Sequence, residues 1–277
     1  MSLFAELNNQ MVNYHFRPNR KMAQCFIING EVIHKMVSAA QLKESDKVLE
    51  VGAGTGFLTR ELLKHSKVIA VELDETLAAL LREQFANEIK SGKLKLVEGS
   101  ILSVKVPKFN KVVALPPYTI SSELAFWLLR HDFELAVVGF QREFARKMLS
   151  VEGFKEYNSL SVLVNYHFSG EVLIENLSPE NFYPKPNSFS SLVVLRRKEP
   201  EIKVKDEEKF RRFLKELFRL KNKNLSNALQ KSFPFLREEL GLSEEKFREK
   251  CSKLKETEKK VCFFSAEEFA GIFNELY

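Results

Sequence analysis

The residues with the clearest chemical implication are three glycines at alternate positions, Gly52, Gly54 and Gly56, and a carboxylate further along the chain. The glycines directly follow the apolar run 48–51, so a strand leads into a loop whose backbone can pass close to a ligand. Glu72 stands twenty positions after Gly52, at the end of a second apolar run. At this spacing an acidic side chain can accept both hydroxyls of a bound ribose. The pattern therefore predicts a nucleoside-binding β–α–β unit.

The exact positions of the glycines separate two classes of cofactor. A dinucleotide-binding loop needs a further glycine at position 57, where this chain has Phe57. The arrangement GxGxG behind Glu50 is the form usual in methyltransferases, and we interpret it as a site for S-adenosylmethionine. A role for the glycines in packing alone is the alternative.

A second candidate site is the loop Leu115-Pro116-Pro117-Tyr118, which follows the predicted strand 111–114. Ligands of open α/β sheets bind at the carboxyl ends of strands. Two prolines stiffen the turn, and Tyr118 offers a flat face on which a base can stack. The amine of adenine is a weak nucleophile, so such a site gains by accepting its hydrogens and aligning its nitrogen with a methyl donor. The loop thus suits methylation of a nucleobase amine; a proline turn beside a core tyrosine is the alternative.

The elements around these loops alternate between strand and helix, which indicates an α/β fold. We predict strands over 68–71, 94–97, 111–114 and 135–140, and helices over 75–87, 121–130 and 141–149. Two β-rich runs, 159–168 and 188–197, are expected to form an antiparallel edge after the parallel strands.

The chain changes character at a charged, proline-containing segment over 198–205, which we interpret as a linker into a small helical domain. Apolar residues beyond it recur at helical spacing: Phe210, Phe213, Leu214, Leu217 and Phe218. Cations recur there every four residues, namely Arg211, Lys215, Arg219 and Lys223. One helix thus carries a core face and a basic stripe that favours a phosphate backbone as partner. An ordinary solvated face is the alternative.

Bulk composition narrows the class of protein. The formal net charge is +6, from 43 Lys and Arg against 37 Asp and Glu, which suits a polyanionic partner without establishing one. Three cysteines without ligand spacing predict neither disulfides nor a metal site and fit a reducing cytosol. The sequence shows no signal-peptide pattern and no apolar run of membrane-spanning length. We therefore expect a cytoplasmic protein without a membrane partner, and the lack of heptads favours a monomer.

Several blocks, in order, resemble the small-subunit ribosomal RNA adenine N6,N6-dimethyltransferases over about residues 18–229. They are RKMAQCF at 20–26, GAGTGFLTREL at 52–62, VELD at 71–74, QREFA at 141–145, FYPKP at 182–186, and Phe218, Lys221, Lys223 and Leu225. The resemblance implies a Rossmann-like S-adenosylmethionine-dependent methyltransferase domain over 18–198. It further implies a helical RNA-binding domain over 199–277 and an N-terminal extension over 1–17. The implied reaction is methylation of adenine N6 in small-subunit ribosomal RNA, in a pre-ribosomal particle.

The resemblance also implies roles for individual residues. For the cofactor these are Gln24, Phe26, Glu50, Gly52, Ala53, Gly54, Thr55, Gly56, Glu72, Leu73, Ser100, Ile101 and Leu115. For the acceptor they are Leu115, Pro116, Pro117, Tyr118 and Phe182, and for RNA they are Arg20, Lys21, Arg211, Lys215, Arg219, Lys221 and Lys223. Tyr118 and Phe182 would hold a flipped adenine between two rings, and stacking would offset the cost of extracting the base.

Several positions depart from the family pattern, among them Asn158 and Ser159, where Gly-Arg is common. Leu115 replaces an asparagine whose carbonyl accepts a hydrogen from the target amine, and a leucine side chain cannot accept one. Ser100 replaces an aspartate that accepts from the adenine of the cofactor, and Ala23 replaces a glycine. A rival hypothesis is therefore a weakened or inactive ribosome-assembly factor that binds RNA with the same fold. A large-subunit ribosomal RNA adenine methyltransferase is a third alternative, disfavoured by the basic C-terminal domain.

Overall fold

The computed structural model describes residues 2–277. Met1, the first residue of the expected extension over 1–17, lies outside the described residues. The strands are β1 Phe26–Ile27, β2 Lys47–Val51, β3 Lys67–Glu72, β4 Leu94–Glu98, β5 Lys111–Ala114, β6 Leu135–Gln141, β7 Phe168–Leu177, β8 Phe182–Tyr183 and β9 Ser190–Arg197.

Helices separate most of the strands, as the alternating pattern predicts. The first seven are α1 Leu3–Asn13, α2 Gly30–Ala39, α3 Phe57–Leu62, α4 Glu75–Gln84, α5 Ala86–Lys90, α6 Ser121–Leu129 and α7 Arg142–Met148. The remaining ones are α8 Ser159–His167, α9 Glu207–Phe218, α10 Leu225–Leu240, α11 Glu244–Lys253 and α12 Ala266–Leu276. Within residues 2–277, no helix is both long and apolar enough to span a bilayer.

The main sheet has seven strands in the order β4-β3-β2-β5-β6-β9-β7. Strands β2 to β6 are mutually parallel, and β9 runs antiparallel to β6. A parallel sheet covered on both faces needs strands that are apolar throughout, and β5 and nearly all of β2, β3 and β6 are buried. The α/β fold predicted from the sequence is confirmed.

The strand order places the candidate loops together. The chain steps outward from β2 through β3 to β4 and then returns to the other side of β2 as β5. Ligands of open α/β sheets bind where the strand order reverses in this way, at the carboxyl ends of the strands. Gly52 follows β2, Glu72 ends β3, Gly99 follows β4 and Leu115 follows β5, so all four lie at that edge.

A buried ion pair joins β2 and β5 at the opposite edge. Lys111 Nζ lies 3.0 Å from Asp46 Oδ2, and both side chains are 6% exposed. Lys111 also donates to the carbonyls of Ala40 and Gln41. Burial alone would raise the pKa of Asp46, but hydrogen bonds from Asn110 and Lys111 hold this pKa below its ordinary value. Because every charge here has partners, the pair fixes the register of the two strands without leaving an unpaired buried ion.

The chain forms two compact units. The first comprises the residues up to Ala145 together with Gly170–Arg197, and the second comprises Arg146–Ser169 together with Lys198–Tyr277. Helix α1 belongs to the first unit: Leu7 is fully buried, and Glu6 forms an ion pair with Arg60 at 2.6 Å. The segment expected as an extension therefore packs on the methyltransferase-like unit.

The expected strand over 159–168 is wrong, because residues Ser159–His167 form helix α8. Asn158 caps this helix in a reciprocal capping box with Ser161, which outweighs the strand preference of the valines that follow. The strand beside β9 is instead β7, most of whose side chains are exposed. The helix expected over 75–87 is also interrupted, because Phe85 leaves helical geometry (φ −112°, ψ 29°) between α4 and α5.

The second unit is helical, as predicted. On α9 the side chains of Phe210 and Phe213 are buried and contact the ring of Phe273, with centroid distances of 5.4 and 5.6 Å. Tyr157 donates its hydroxyl to the carbonyl of Phe264 at 3.0 Å. The aromatic residues that recur at helical spacing in the sequence thus supply the core of this unit.

Candidate active site

A cavity of about 280 Å³ in the first unit is lined by the loops that follow β2, β3, β4 and β5. Most of the predicted site residues line it: Gln24, Phe26, Gly52, Gly54, Glu72, Leu73, Ser100, Ile101, Leu115, Pro116, Pro117, Tyr118 and Phe182. The predicted cofactor loop and the predicted acceptor loop therefore share one cavity.

Glu72 is the charged centre of this cavity. Its Oε2 accepts a hydrogen bond from the backbone N–H of Gly54 at 2.7 Å, and its Oε1 accepts from those of Leu73 and Asp74, both at 2.9 Å. Burial raises the pKa of Glu72, although these three hydrogen bonds favour the ionised form. A carboxylate has about four acceptor positions, so Oε2 retains capacity for a hydroxyl of a ligand.

The first two glycines keep the loop after β2 open to the cavity. Gly52 and Gly54 have φ values of 75° and 57°, a region that disfavours other residues. A Cβ on Gly54 would lie 3.3 Å from the ring of Phe26, and one on Gly52 would lie 3.4 Å from Pro117. Any side chain here would narrow the cavity between the two predicted subsites.

Some predicted cofactor residues do not line the cavity, namely Glu50, Ala53, Thr55 and Gly56. Gly56 is required by packing, because a Cβ there would lie 2.7 Å from the ring of Phe85. The carbonyl of Thr55 accepts a hydrogen bond from Gln10 Nε2 at 3.2 Å. This half of the glycine loop therefore anchors neighbouring helices.

Glu50 is almost completely buried in β2, at 1% exposure. Its Oε2 accepts from Thr59 Oγ1 at 2.6 Å, while its Oε1 has no hydrogen-bond partner among residues 2–277. Burial, with a smaller contribution from the charge of Glu72, raises the pKa of Glu50 to about 8. At neutral pH the group is therefore largely protonated in the unliganded fold.

The side chain of Leu115 occupies space that a glycine leaves free. Gly139 lies on β6, which pairs with β5, and a Cβ built there would lie 2.5 Å from Leu115 Cδ2. Gly139 also lines the cavity and is not among the residues predicted from the sequence. An isolated glycine within an apolar strand indicates close approach of another group, so the signal was present.

The two rings predicted to clamp a base are held from different elements. Tyr118 hydrogen-bonds through its hydroxyl to Ser190 Oγ on β9, and burial raises the pKa of Tyr118. Phe182 is 4% exposed and lies on β8, which pairs with β1. Each ring is thus fixed by contacts of its own, and both line the same cavity.

The segment before β1 forms a further wall. Gln24 accepts from the N–H of Asn19 at 2.8 Å and donates to Asp74 Oδ2 at 3.0 Å. Ala23 has a φ of 50°, in the left-handed region. Glycine adopts this region most readily, which explains why the family pattern described above has glycine at this position. At the far wall, Ser100 Oγ accepts from the N–H of Leu102 at 3.3 Å.

The other lining residues, most of them apolar, stand beside the motifs and were not among the predicted site residues. They are Met22, Ala23, Cys25, Val51, Val71, Leu77, Gly99, Thr119 and Ile120. Within residues 2–277, no cluster of His, Cys, Asp and Glu could hold a metal ion.

The cationic side chains predicted to contact RNA differ in whether they already have partners within the protein. Arg211 is paired with Glu208, and Arg219 with Glu216 at 2.9 Å. Lys221 donates to the backbone carbonyls of Lys155 and Tyr157 at 2.8 and 3.3 Å, so it holds a loop of the second unit. The remaining cations are exposed: Arg20, Lys21, Lys215 and Lys223.

Comparison with known proteins is consistent with this geometry. The model of the family described as ribosomal RNA adenine dimethylase matches residues 15–263. A protein of Thermococcus sibiricus, described as a probable ribosomal RNA small subunit methyltransferase A, is 35% identical over 274 residues, which are 98% of this chain and 96% of that protein.

Two solved structures share the architecture. A dimethyladenosine transferase from Plasmodium falciparum superposes with a TM-score of 0.77 and 27% identity, covering 89% of this chain and 95% of that one. The 23S rRNA methyltransferase ErmE superposes with a TM-score of 0.67 and 25% identity, covering 91% and 99%.

We predict that Glu50 makes the stability of the unliganded protein depend on pH. Because its pKa is higher in the folded state than in the unfolded state, its contribution is present below about pH 4.5 and is lost as pH rises towards 8. Glu50→Gln removes this titration. Urea unfolding should therefore show the variant gaining stability relative to wild type between pH 5 and pH 8. If the free energies of unfolding of the variant and the wild type differed by the same amount at pH 5 and pH 8, the raised pKa assigned to Glu50 would be contradicted.

We also predict that positions 115 and 139 are energetically coupled. Gly139→Ala should lower the free energy of unfolding by about 1–3 kcal/mol, because its Cβ displaces Leu115. In a Leu115→Ala background the same substitution should cost almost nothing. Urea unfolding of the four proteins of this double-mutant cycle measures the coupling; the same penalty in both backgrounds would show that the two side chains do not compete.

Proposed function

The chain belongs to the ribosomal RNA adenine dimethylase family, and from this we propose that its cavity binds S-adenosylmethionine beside a flipped adenine of small-subunit ribosomal RNA. The reaction is methylation of adenine N6, with S-adenosylmethionine supplying the methyl group from its sulfonium. The observation that carries the site assignment is that Glu72, Gly52, Gly54 and the loop 115–118 line one cavity.

The residues present fit the cofactor. Glu72 is held by three backbone N–H groups with Oε2 still able to accept, as a ribose requires. Gly52 and Gly54 leave room that a Cβ would fill. Gln24 and Ser100 add polar groups to a wall that is otherwise mainly apolar. In this assignment Phe26, Leu73 and Ile101 pack against the cofactor.

The acceptor base lies between Tyr118 and Phe182 in our proposal. Stacking contributes about 1–3 kcal/mol per base, which offsets part of the cost of extracting it from the RNA. The hydrogen bond between the hydroxyls of Tyr118 and Ser190 fixes one ring, and strand pairing fixes the other. Two rings held in advance lose little entropy when the base enters.

Hydrogens of the target amine are accepted by the backbone of the loop 115–118. Leu115 has no side-chain acceptor, and its side chain is accommodated beside Gly139. Carbonyl groups in this loop, such as that of Pro116, are the acceptors that the chain offers instead. These carbonyl groups orient the amine nitrogen towards the methyl group of the cofactor. After methyl transfer, the nitrogen loses a proton to water.

The partner is small-subunit ribosomal RNA, in our proposal as part of a pre-ribosomal particle, with the enzyme acting as a cytoplasmic monomer. Exposed Arg20 and Lys21 adjoin Met22 at the cavity, and Lys215 and Lys223 offer further cations to phosphate. The comparisons do not support the two alternatives, an inactive assembly factor and a large-subunit enzyme.

We predict that Glu72→Gln weakens S-adenosylmethionine binding at least tenfold, because a neutral amide replaces a carboxylate in charge-assisted hydrogen bonds. Glu98→Gln is the matched control, since Glu98 is the register partner of Glu72 on β4 but is half-exposed and outside the cavity. Titration calorimetry measures both dissociation constants. A folded Glu72→Gln protein with wild-type affinity would refute the role assigned to Glu72.

The test of the proposed function is transfer of labelled methyl from S-adenosylmethionine to small subunits that lack the modification, with mapping of the methylated nucleotides. We expect methylated adenines from the wild type. Phe182→Leu, which keeps an apolar side chain but removes the ring, should lower the rate about tenfold or more with unchanged cofactor affinity. Tyr118→Phe should lose less, because it keeps its ring.

Two results would count against this proposal. Cofactor and subunit binding without methyl transfer by the wild type would favour the assembly-factor hypothesis. Full activity of Phe182→Leu would leave methylation intact and remove Phe182 from the acceptor site.

A further inference from the structure

A second concave site lies in the helical unit, between α9 and α10. It is a cleft of about 260 Å³ lined on the α9 side by Arg211, Arg212, Lys215 and Glu216, and on the α10 side by Phe235, Leu236 and Glu239. None of the residues that line the cavity of the first unit contributes to it. The cleft thus combines an aromatic ring with cations at a place unrelated to the methyl-transfer chemistry.

Phe235 is not part of the core of its unit. It is 60% exposed, whereas the adjacent aromatic on the same helix, Phe233, is buried and stacks on Phe247 at a centroid distance of 4.2 Å. The guanidinium of Arg219 lies 5.4 Å from the centroid of the Phe235 ring. A large apolar ring exposed beside a cation is a platform on which a base can stack, with the cation near the phosphate.

The cationic side chains around the cleft differ in whether they have ion-pair partners. Arg212 Nη1 lies 3.4 Å from Glu239 Oε1. Arg211 on α9 and Arg219, directly after α9, are paired with Glu208 and Glu216. Lys215 is exposed and has no ion pair or side-chain hydrogen bond within the described chain, residues 2–277. The cleft therefore presents one free ammonium next to an exposed ring, which matches a phosphate joined to a base.

We propose that this cleft binds an unpaired nucleotide of the RNA substrate, with the base on Phe235 and its phosphate on Lys215. The proposal rests on the proposed function, because it takes ribosomal RNA as the partner. It adds to the phosphate contacts a stacking contact between a base and Phe235. Such stacking requires a base that is not in a duplex. The helical unit would thus recognise a single-stranded feature and not only a phosphate backbone.

The experiment measures binding of the full chain to protein-free small-subunit RNA at several salt concentrations. Phe235→Ala should weaken binding roughly tenfold with an unchanged salt dependence, because stacking releases no counterions. Lys215→Ala should weaken binding and reduce the salt slope by about one. Phe235→Trp should retain affinity. The matched control is Phe154→Ala, since Phe154 is an equally exposed phenylalanine (64%) of the same unit outside the cleft.

The outcomes are separable. Wild-type binding that Phe235→Ala leaves unchanged, or that Phe154→Ala weakens equally, overturns this inference while leaving the proposed function intact. If Phe235→Ala lost binding to whole subunits but still bound protein-free RNA, the partner of the cleft would be a ribosomal protein. That result would also overturn the inference. A wild-type chain that does not bind small-subunit RNA would instead overturn the proposed function, and this inference with it.

Discussion

The carboxylate of Glu72 joins two of the loops that line the cavity. One of its oxygens accepts the N–H of Gly54 after β2, and the other accepts those of Leu73 and Asp74 after β3. The backbone carbonyl of the same residue accepts the N–H of Gly99 after β4. One residue therefore sets the spacing of three strand ends. Because its charge is satisfied by fixed backbone donors, the site needs no reorganisation to present an acceptor to a ribose.

The two buried carboxyl groups at this edge of the sheet, those of Glu50 and Glu72, differ in their hydrogen-bond donors. Glu72 accepts from three backbone N–H groups, whereas Glu50, one strand away, accepts from Thr59 and has one oxygen without a partner among residues 2–277. Two full charges at such sites would repel each other in a medium of low dielectric constant. Burial, with a smaller contribution from the charge of Glu72, raises the pKa of Glu50, so Glu50 holds its proton to a higher pH than a free carboxyl does.

Much of the fold could be predicted because its parallel strands are apolar throughout and end in recognisable loops. The segment 159–168 could not, because the same apolar residues serve a buried strand or a buried helix; the cap formed by Asn158 and Ser161 decides between them. In the site, the motifs predicted Glu72 and Tyr118, which both line the cavity, but could not separate residues that line the cavity from residues that pack outside it. Gly54 faces the cavity and Gly56 faces Phe85, yet both are glycines of one motif. Lys221 likewise reads as a free cation until its carbonyl partners are seen.

The contact between Leu115 and Gly139 links two positions that are distant along the chain but adjacent in the sheet. A mutation that adds a side chain at 139 must displace the Leu115 side chain while leucine remains at 115, and it meets no such contact once residue 115 is small. The order in which substitutions accumulate is therefore biased: the neighbouring strand gains bulk at less cost after the acceptor loop has lost it. In an evolving lineage, the residue at 115 is then inherited together with its neighbour on β6.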